Sequence, residues 1–408
     1  VSFIDRVAAS QRDAATRPII TFVPPWYGPQ ITGGAEFQCR RTAEELAVRG
    51  VSVEVFTTTA GGVTSNWDVP AFAAGSDELN GVPIQRFPVR PRNAAVFDAL
   101  NRRVLAGERL TLAEEAVFVR EIIGSDALEA AIAAGYHERL FLFTPYMFGT
   151  SYWGQRAAAG RDFLIPCIHD EGYAHMQLYA QQISHARGLL FYSAAEQQLA
   201  NRLYQLRPAD QCVLGGGVDT TTVGDAARFR AQFGIAGPFL LYAGRRDAGK
   251  NTPLLLAYIL QYRAAGGPLP LVCIGAGDPI PPHLRERGDV IDLGFVEQQA
   301  KLDAYAAATA LVQPSTHESF GVVLMEAWVC GTPVLVHSDC AVTRGFVEAS
   351  GGGLHFRSYA EFVGSLDYLL ARPDIAQRMG AAGGAYVRRH FTWDAVLERL
   401  LAFLAARI

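Results

Sequence analysis

The stretch from Ala308 to Val336 leaves the chain little freedom of fold. An apolar run, Ala308 to Val312, stops at Pro314-Ser315-Thr316, and a second, Val334 to Val336, starts directly after Gly331 and Pro333. Between them Gly321 opens a helix that Gly331 and Pro333 end. Two short β-branched strands joined by one helix make a parallel β-α-β unit, whose helix is apolar nearly all round, as one packed on a sheet can be. Yet Glu326 lies in the middle of it, and a carboxylate there needs a partner. Glu318 lies just before the helix start, where backbone N–H groups and the positive end of the helix dipole favour an anion. Both acids suit a polyhydroxylated ligand whose phosphate rests on the helix terminus. The plainer alternative makes Glu318 an ordinary helix-start charge and Glu326 an exposed one.

Glu318 and Glu326, with Ser319-Phe320-Gly321 after the first of them, resemble the signature of retaining glycosyltransferases of the two-Rossmann GT-B type, specifically the large family 4 (glycosyl transferases group 1). The resemblance runs along nearly the whole chain. It implies an α/β fold of two Rossmann-like domains facing each other across a cleft. Residues 1–214 would form the acceptor domain and residues 215–390 the nucleotide-sugar donor domain, with a final helix at 391–408 crossing back to the first. It implies transfer of a hexose without a metal, in polysaccharide biosynthesis or a related pathway.

Length and composition agree with two domains. The 408 residues are too many for one ordinary core; half are hydrophobic and 19% are charged. A formal net charge of -4 gives no support for nucleic-acid binding. No apolar run is long enough to cross a bilayer and no signal-peptide pattern opens the chain, so a cytoplasmic protein is expected, with at most peripheral contact at the inner membrane face. The cysteines Cys39, Cys167, Cys212, Cys273, Cys330 and Cys340 stand singly with no CxxC spacing, which reads as reduced thiols rather than disulfides or zinc ligands.

In the first half, residues 1–16 read as a polar lead-in, Pro18 to Pro24 as a strand, Glu36 to Arg49 as a helix and Val51 to Thr57 as a strand, an opening βαβ without the dinucleotide GxGxxG. Gly33-Gly34 before the helix would let backbone approach a ligand, although a glycine pair also serves simple turns. The resemblance sets this pair against the donor phosphate and the acceptor and makes Trp26 and Tyr27 an acceptor-sugar platform; plain packing is the other reading of those aromatics. Residues 60–81 read as an irregular loop, and 93–134 as mixed-charge helices. Strands follow at Arg139–Thr144, Phe163–Cys167 and Gly188–Tyr192. The tip after the second of these, His169-Asp170-Glu171-Gly172-Tyr173, is where ligands of parallel sheets bind. The resemblance sets His169 against the donor sugar, with Asp170 and Tyr173 towards the acceptor. Metal binding by His169, Asp170 and Glu171 is a poor rival, because adjacent residues rarely converge on one ion.

Gly215-Gly216-Gly217-Val218-Asp219 reads as an interdomain hinge. The second half opens with a strand, Pro238 to Ala243, and a loop carrying Gly244, Arg245 and Lys250, a plausible diphosphate cradle although not a Walker loop. Further strands run into Gly275 and Gly277 and into Gly294-Phe295; simple turns would explain both, while the resemblance puts them around the nucleotide. No Asp-x-Asp pair occurs. Arg245, Lys250 and the helix start at Gly321 would therefore meet the leaving diphosphate in place of a metal, with no cofactor beyond the nucleoside-diphosphate sugar. Glu318 would hold donor-sugar hydroxyls, Glu326 the ribose diol, and His169 the sugar face nearest a glycan, lipid-linked or small-molecule acceptor. A noncatalytic sugar-nucleotide or glycan-binding module, or another GT-B reaction such as epimerisation, remains the alternative.

Overall fold

The computed structural model describes residues 18–31 and 33–407, so the lead-in expected at 1–16 lies outside them. The chain divides into two units, one ending at Gly217 and resuming with Val396–Ile408, the other Val218–Ala395. The strands of the first are β1 (Ile19–Val23), β2 (Val53–Thr58), β3 (Gly75–Leu79), β4 (Val82–Phe87), β5 (Arg139–Phe143), β6 (Asp162–Leu164), β7 (Gly188–Phe191) and β8 (Gln211–Val213). They form one sheet in the order β3-β4-β2-β1-β5-β6-β7-β8, parallel except for β3. The strand β3 corrects the irregular loop expected at 60–81. Asn80 and Gly81 both take positive φ, 51° and 79°, and close a two-residue hairpin that turns the polar segment Gly75–Leu79 back along β4.

The second unit holds β9 (Leu240–Ala243), β10 (Leu271–Ile274), β11 (Val290–Asp292), β12 (Ala310–Gln313), β13 (Val334–His337) and β14 (Gly353–Phe356). All are parallel, in the order β11-β10-β9-β12-β13-β14. In each sheet the strand order reverses beside the first strand, between β1 and β5 and between β9 and β12. At such switch points connections leave to opposite faces and open a crevice beyond the strand ends.

The helix Val322–Val329, which follows β12, is fixed by one large side chain. Trp328 is wholly buried and donates its indole N–H to the Gly352 carbonyl at 2.7 Å. Its ring lies against the helix Pro373–His390 at Gly383, where an added Cβ would come within 2.3 Å of it. One turn earlier, a Cβ on Gly380 would lie 1.8 Å from the Gly331 carbonyl oxygen. Glycine at both positions allows two helices to approach closely around an indole.

The helix Trp393–Ala405 begins in the second unit and passes into the first at Val396. There Phe403 packs edge-on against Phe163, and Arg399 donates to the Leu214 carbonyl at 2.9 Å. The two crossing segments lie side by side, joined by Val218 N–H to the Phe391 carbonyl at 2.8 Å.

Substituting Gly383→Ala is expected to lower stability by about 1–3 kcal/mol, the usual range for an overpacked core. Chemical denaturation followed by tryptophan fluorescence measures it. The same change at Gly364, with nothing within 4 Å of its Cβ position, serves as the control and is expected to be near neutral.

Candidate functional site

In the second unit two loops meet at the switch point. The loop after β9 begins at Gly244, where φ is 150°. Asp247 then caps the short turn Ala248–Lys250, accepting from Lys250 N–H at 2.8 Å. This aims the Lys250 ammonium at the loop after β12, where it meets the Glu318 carboxylate at 2.7 Å. Gln313, the last residue of β12, donates to the same Glu318 oxygen at 2.8 Å, and Asn251 ties the loops together through the Pro314 carbonyl at 3.1 Å. Burial drives the Glu318 pKa up, but Lys250, Ser315 and Gln313 together outweigh it and hold the carboxyl below its ordinary value. Three residues later Gly321 takes φ 76° and starts the helix Val322–Val329, whose first turn no side chain caps.

The neighbouring tips are held by a residue that sequence reasoning passed over. Arg246 is buried; it donates to the Gly275 carbonyl at 2.6 Å and the Asp278 carbonyl at 3.0 Å, and pairs with Asp292 at 3.2 Å. It therefore stitches the ends of β9, β10 and β11 and is unavailable to a phosphate. Gly275 and Gly277 permit this closeness, since a Cβ would lie 2.2 Å from the Gly244 oxygen and 2.1 Å from the Arg246 oxygen. Arg245 points outward and pairs with Asp247. Phe295, beyond β11, is 79% exposed.

Several expectations need correction. Phe320 is a core residue, edge-on against Phe346 and Phe391, so only its backbone is left to line a site. Glu326 is buried rather than exposed, and the partner it needed is internal: Lys301 at 2.8 Å and Gln298 at 3.3 Å on one oxygen, the Tyr305 hydroxyl at 3.0 Å on the other. Ser319 is half-buried beside Glu318.

In the first unit Trp26 and Tyr27 are 1% and 2% exposed, which removes the stacking platform expected of them. Trp26 packs edge-on against Phe148 and donates to Glu36 at 2.9 Å. Glu36 folds back over Gly33, where a Cβ would clash with its carboxylate, while Gly34 is open. Tyr173 is likewise buried, its hydroxyl committed to Asn101 at 2.5 Å. Asp170 is exposed and turned to His175 at 2.9 Å and Arg202 at 3.5 Å; their hydrogen bonds and charges hold its pKa low. His169 is half-buried at the tip beyond β6.

That tip is secured by Glu196, also missed from sequence. Its carboxylate accepts from Ile168 N–H at 2.9 Å and Tyr192 N–H at 2.7 Å, joining the ends of β6 and β7. Burial lifts its pKa to about 8 against the pull of these backbone donors. Ser193-Ala194-Ala195-Glu196, a capping pattern directly after an apolar strand, was the available signal. Among the described residues no group of three His, Cys, Asp or Glu could hold a metal ion.

Residues 225–385 match the family model described as Glycosyl transferases group 1. The D-inositol 3-phosphate glycosyltransferase of Segniliparus rotundus is 26% identical over 423 residues, covering 94% of this chain and 87% of that protein. The sucrose-phosphate synthase of Thermosynechococcus elongatus shares the fold with a TM-score of 0.71 at 20% identity, covering 96% of this chain and 100% of that one. Anabaena HepE in complex with UDP does so with a TM-score of 0.68 at 16% identity, covering 95% and 100%.

The Lys250–Glu318 pair makes a pH prediction. A carboxyl with a lowered pKa contributes stability above its unfolded pKa and loses it as pH falls through the folded value. Lys250→Met is expected to destabilise at pH 7 by less than the roughly 3–5 kcal/mol of a fully buried pair. The deficit should shrink as pH falls into the ordinary glutamate range, because burial of the orphaned Glu318 is no longer opposed by Lys250 and the carboxyl takes up a proton there. Denaturant melts of both proteins across that range check the sign.

Proposed function

We propose that this chain, a glycosyltransferase built on two Rossmann-like domains, moves a hexose from a nucleoside-diphosphate sugar to an alcohol, with retention of anomeric configuration and without a metal ion. The observation that carries the reading is the Lys250–Glu318–Gln313 set at the switch point of the second sheet, beside the uncapped helix start at Gly321.

Breaking the bond between sugar and diphosphate places negative charge on the leaving oxygen. Lys250 is held next to that place by Asp247, and Gly321 starts a helix whose dipole favours an anion. When a diphosphate takes the Lys250 ammonium, Glu318 loses its cation and is left with Gln313 and Ser315. Hydroxyls of the donor sugar then supply the donors it lacks, which couples sugar recognition to phosphate binding. Arg245 exchanges Asp247 for the phosphate in the same way. Phe295 offers an aromatic face to the base. A carboxylate has about four acceptor positions, and Lys301, Gln298 and Tyr305 supply three donors to Glu326; one position remains for the ribose diol. In this reading His169 serves the face of the donor sugar nearest the acceptor, and Gly33 and Gly34 serve the donor phosphate and the acceptor.

The acceptor class in this reading is a small polyol, a glycan or a lipid-linked sugar, and inositol 3-phosphate, named for the Segniliparus relative, is the first to assay. No helix among the described residues is long and apolar enough to cross a membrane, in keeping with a cytoplasmic site and at most peripheral contact with the inner face.

Thermal shifts with UDP, GDP and ADP identify the base, since binding stabilises the folded state by mass action. Glu318→Gln is expected to keep nucleotide affinity within a few-fold while cutting turnover by about 10²-fold, the size of a lost preorganised electrostatic contact. Equal loss of nucleotide binding and turnover would remove the division of labour. Turnover is expected to survive EDTA, and NMR of the product is expected to give the anomeric configuration of the donor; loss of activity restored by magnesium or manganese would overturn the role of Lys250 and Arg245.

A further inference from the structure

The two loops at the switch point of the second sheet are joined twice, and the second joint differs in kind from the first. Lys250 and Glu318 meet as an ion pair at 2.7 Å. Asn251, the residue after Lys250, donates from its side-chain amide to the carbonyl of Pro314, the residue after Gln313, at 3.1 Å. Gln313 in turn donates to the same Glu318 oxygen that Lys250 holds. The path from Lys250 through Asn251, Pro314, Gln313 and Glu318 back to Lys250 is therefore a closed ring of two peptide links and three hydrogen bonds. Gln313 and Pro314, on its far side, are buried.

The backbone of Asn251 is unusual. Among the described residues of the second unit it alone, glycines aside, has a positive φ, 55°. It stands at the start of the helix Thr252–Ala264, where an asparagine side chain normally accepts from N–H groups of the first turn, yet its side chain caps nothing there. The amide goes to the neighbouring loop instead. Asparagine is one of the few residues that tolerate left-handed backbone; glycine tolerates it too but has no side chain to reach Pro314. The Ser315 hydroxyl faces the Lys250 carbonyl at 3.5 Å, too long to replace the tether.

We propose that Asn251 is a positioning residue: its tether fixes the separation of the Lys250 and Glu318 loops and keeps it fixed when an anion draws the Lys250 ammonium away. A diphosphate that takes the cation from Glu318 breaks the ion pair, whereas a bond between a neutral amide and a neutral carbonyl has no charge to give up. Glu318 then stays aimed, with Gln313 behind it, at the hydroxyls of the donor sugar. The consequence for the reaction rests on the glycosyltransferase reading; the fastening of the ion pair does not.

Asn251→Gly tests it, because glycine accepts a φ of 55° and the change removes only the tether. Denaturant unfolding at pH 7 compares the unaltered protein, Asn251→Gly, Lys250→Met and the double variant. The factor by which Lys250→Met lowers the unfolding equilibrium is expected to be about 5-fold smaller once the tether is gone, since groups in one network couple. Additive effects would make Asn251 a local structural residue and overturn the proposal. Calorimetry with UDP, GDP and ADP and steady-state turnover are read on the same samples. Asn251→Gly is expected to leave nucleotide affinity within about 3-fold and to lower kcat by about 10-fold, as for a positioned group moved slightly out of place. Unchanged kcat, or a loss of nucleotide affinity as large as the loss of kcat, would also overturn it. If the unaltered protein binds no nucleotide and transfers no sugar, the glycosyltransferase reading fails, and the coupling in unfolding alone decides whether Asn251 fastens the pair.

Discussion

A buried indole must be surrounded on every side, and in the second unit Trp328 is accommodated only because Gly352 and Gly383 carry no side chains. Interiors packed to crystal-like density do not absorb even one added methyl without strain. The position of Trp328 fixes the helix Val322–Val329, that helix fixes Gly321, and Gly321 sets the direction from which the chain arrives from Glu318. The electrostatics of the site thus rest on an apolar contact at the far end of one short helix. Lys250 approaches from an independent direction, through a turn that Asp247 caps.

Much of this was legible in the residues, and the reasons differ from place to place. Glu318, Lys250 and Gly321 could be found because strand tips of parallel sheets are where ligands bind, and because charges in loops between apolar strands stand out. Gln313 escaped because it reads as the end of an apolar strand, and Arg246 because a second arginine beside Arg245 looks like more of the same loop. Trp26, Tyr27, Phe320 and Tyr173 were misjudged for one shared reason. An aromatic side chain in a loop rich in glycine and proline carries no mark of which way it turns, and packing against Phe148, Phe346 or Phe118 decides it. The hairpin at Asn80-Gly81 did carry a mark, the dipeptide that favours positive φ, but the polar strand before it lacks the apolar alternation by which strands are recognised.

The two units handle buried acid differently. In the second, Glu318 and Glu326 each have a lysine, so charge is matched within the protein. In the first, Glu196 is met by backbone N–H groups alone. The first arrangement suits a site where an anionic ligand must displace an existing partner and is therefore tested against it. The second suits a joint that stays closed, because the backbone donors that meet the charge are themselves at the ends of β6 and β7.

The helix that starts at Trp393 and ends within the first unit has a consequence for how the molecule is made. A ribosome delivers β1 to β8 first, yet the face formed by Phe163 and Gly188 stays uncovered until Phe403 has been added, after all of the second unit. Domains generally fold as they emerge, and exposed apolar surface on a waiting domain invites aggregation. The earlier half of the nascent chain therefore depends on the later half for completion, and a premature stop before Val396 damages the unit at the opposite end of the gene.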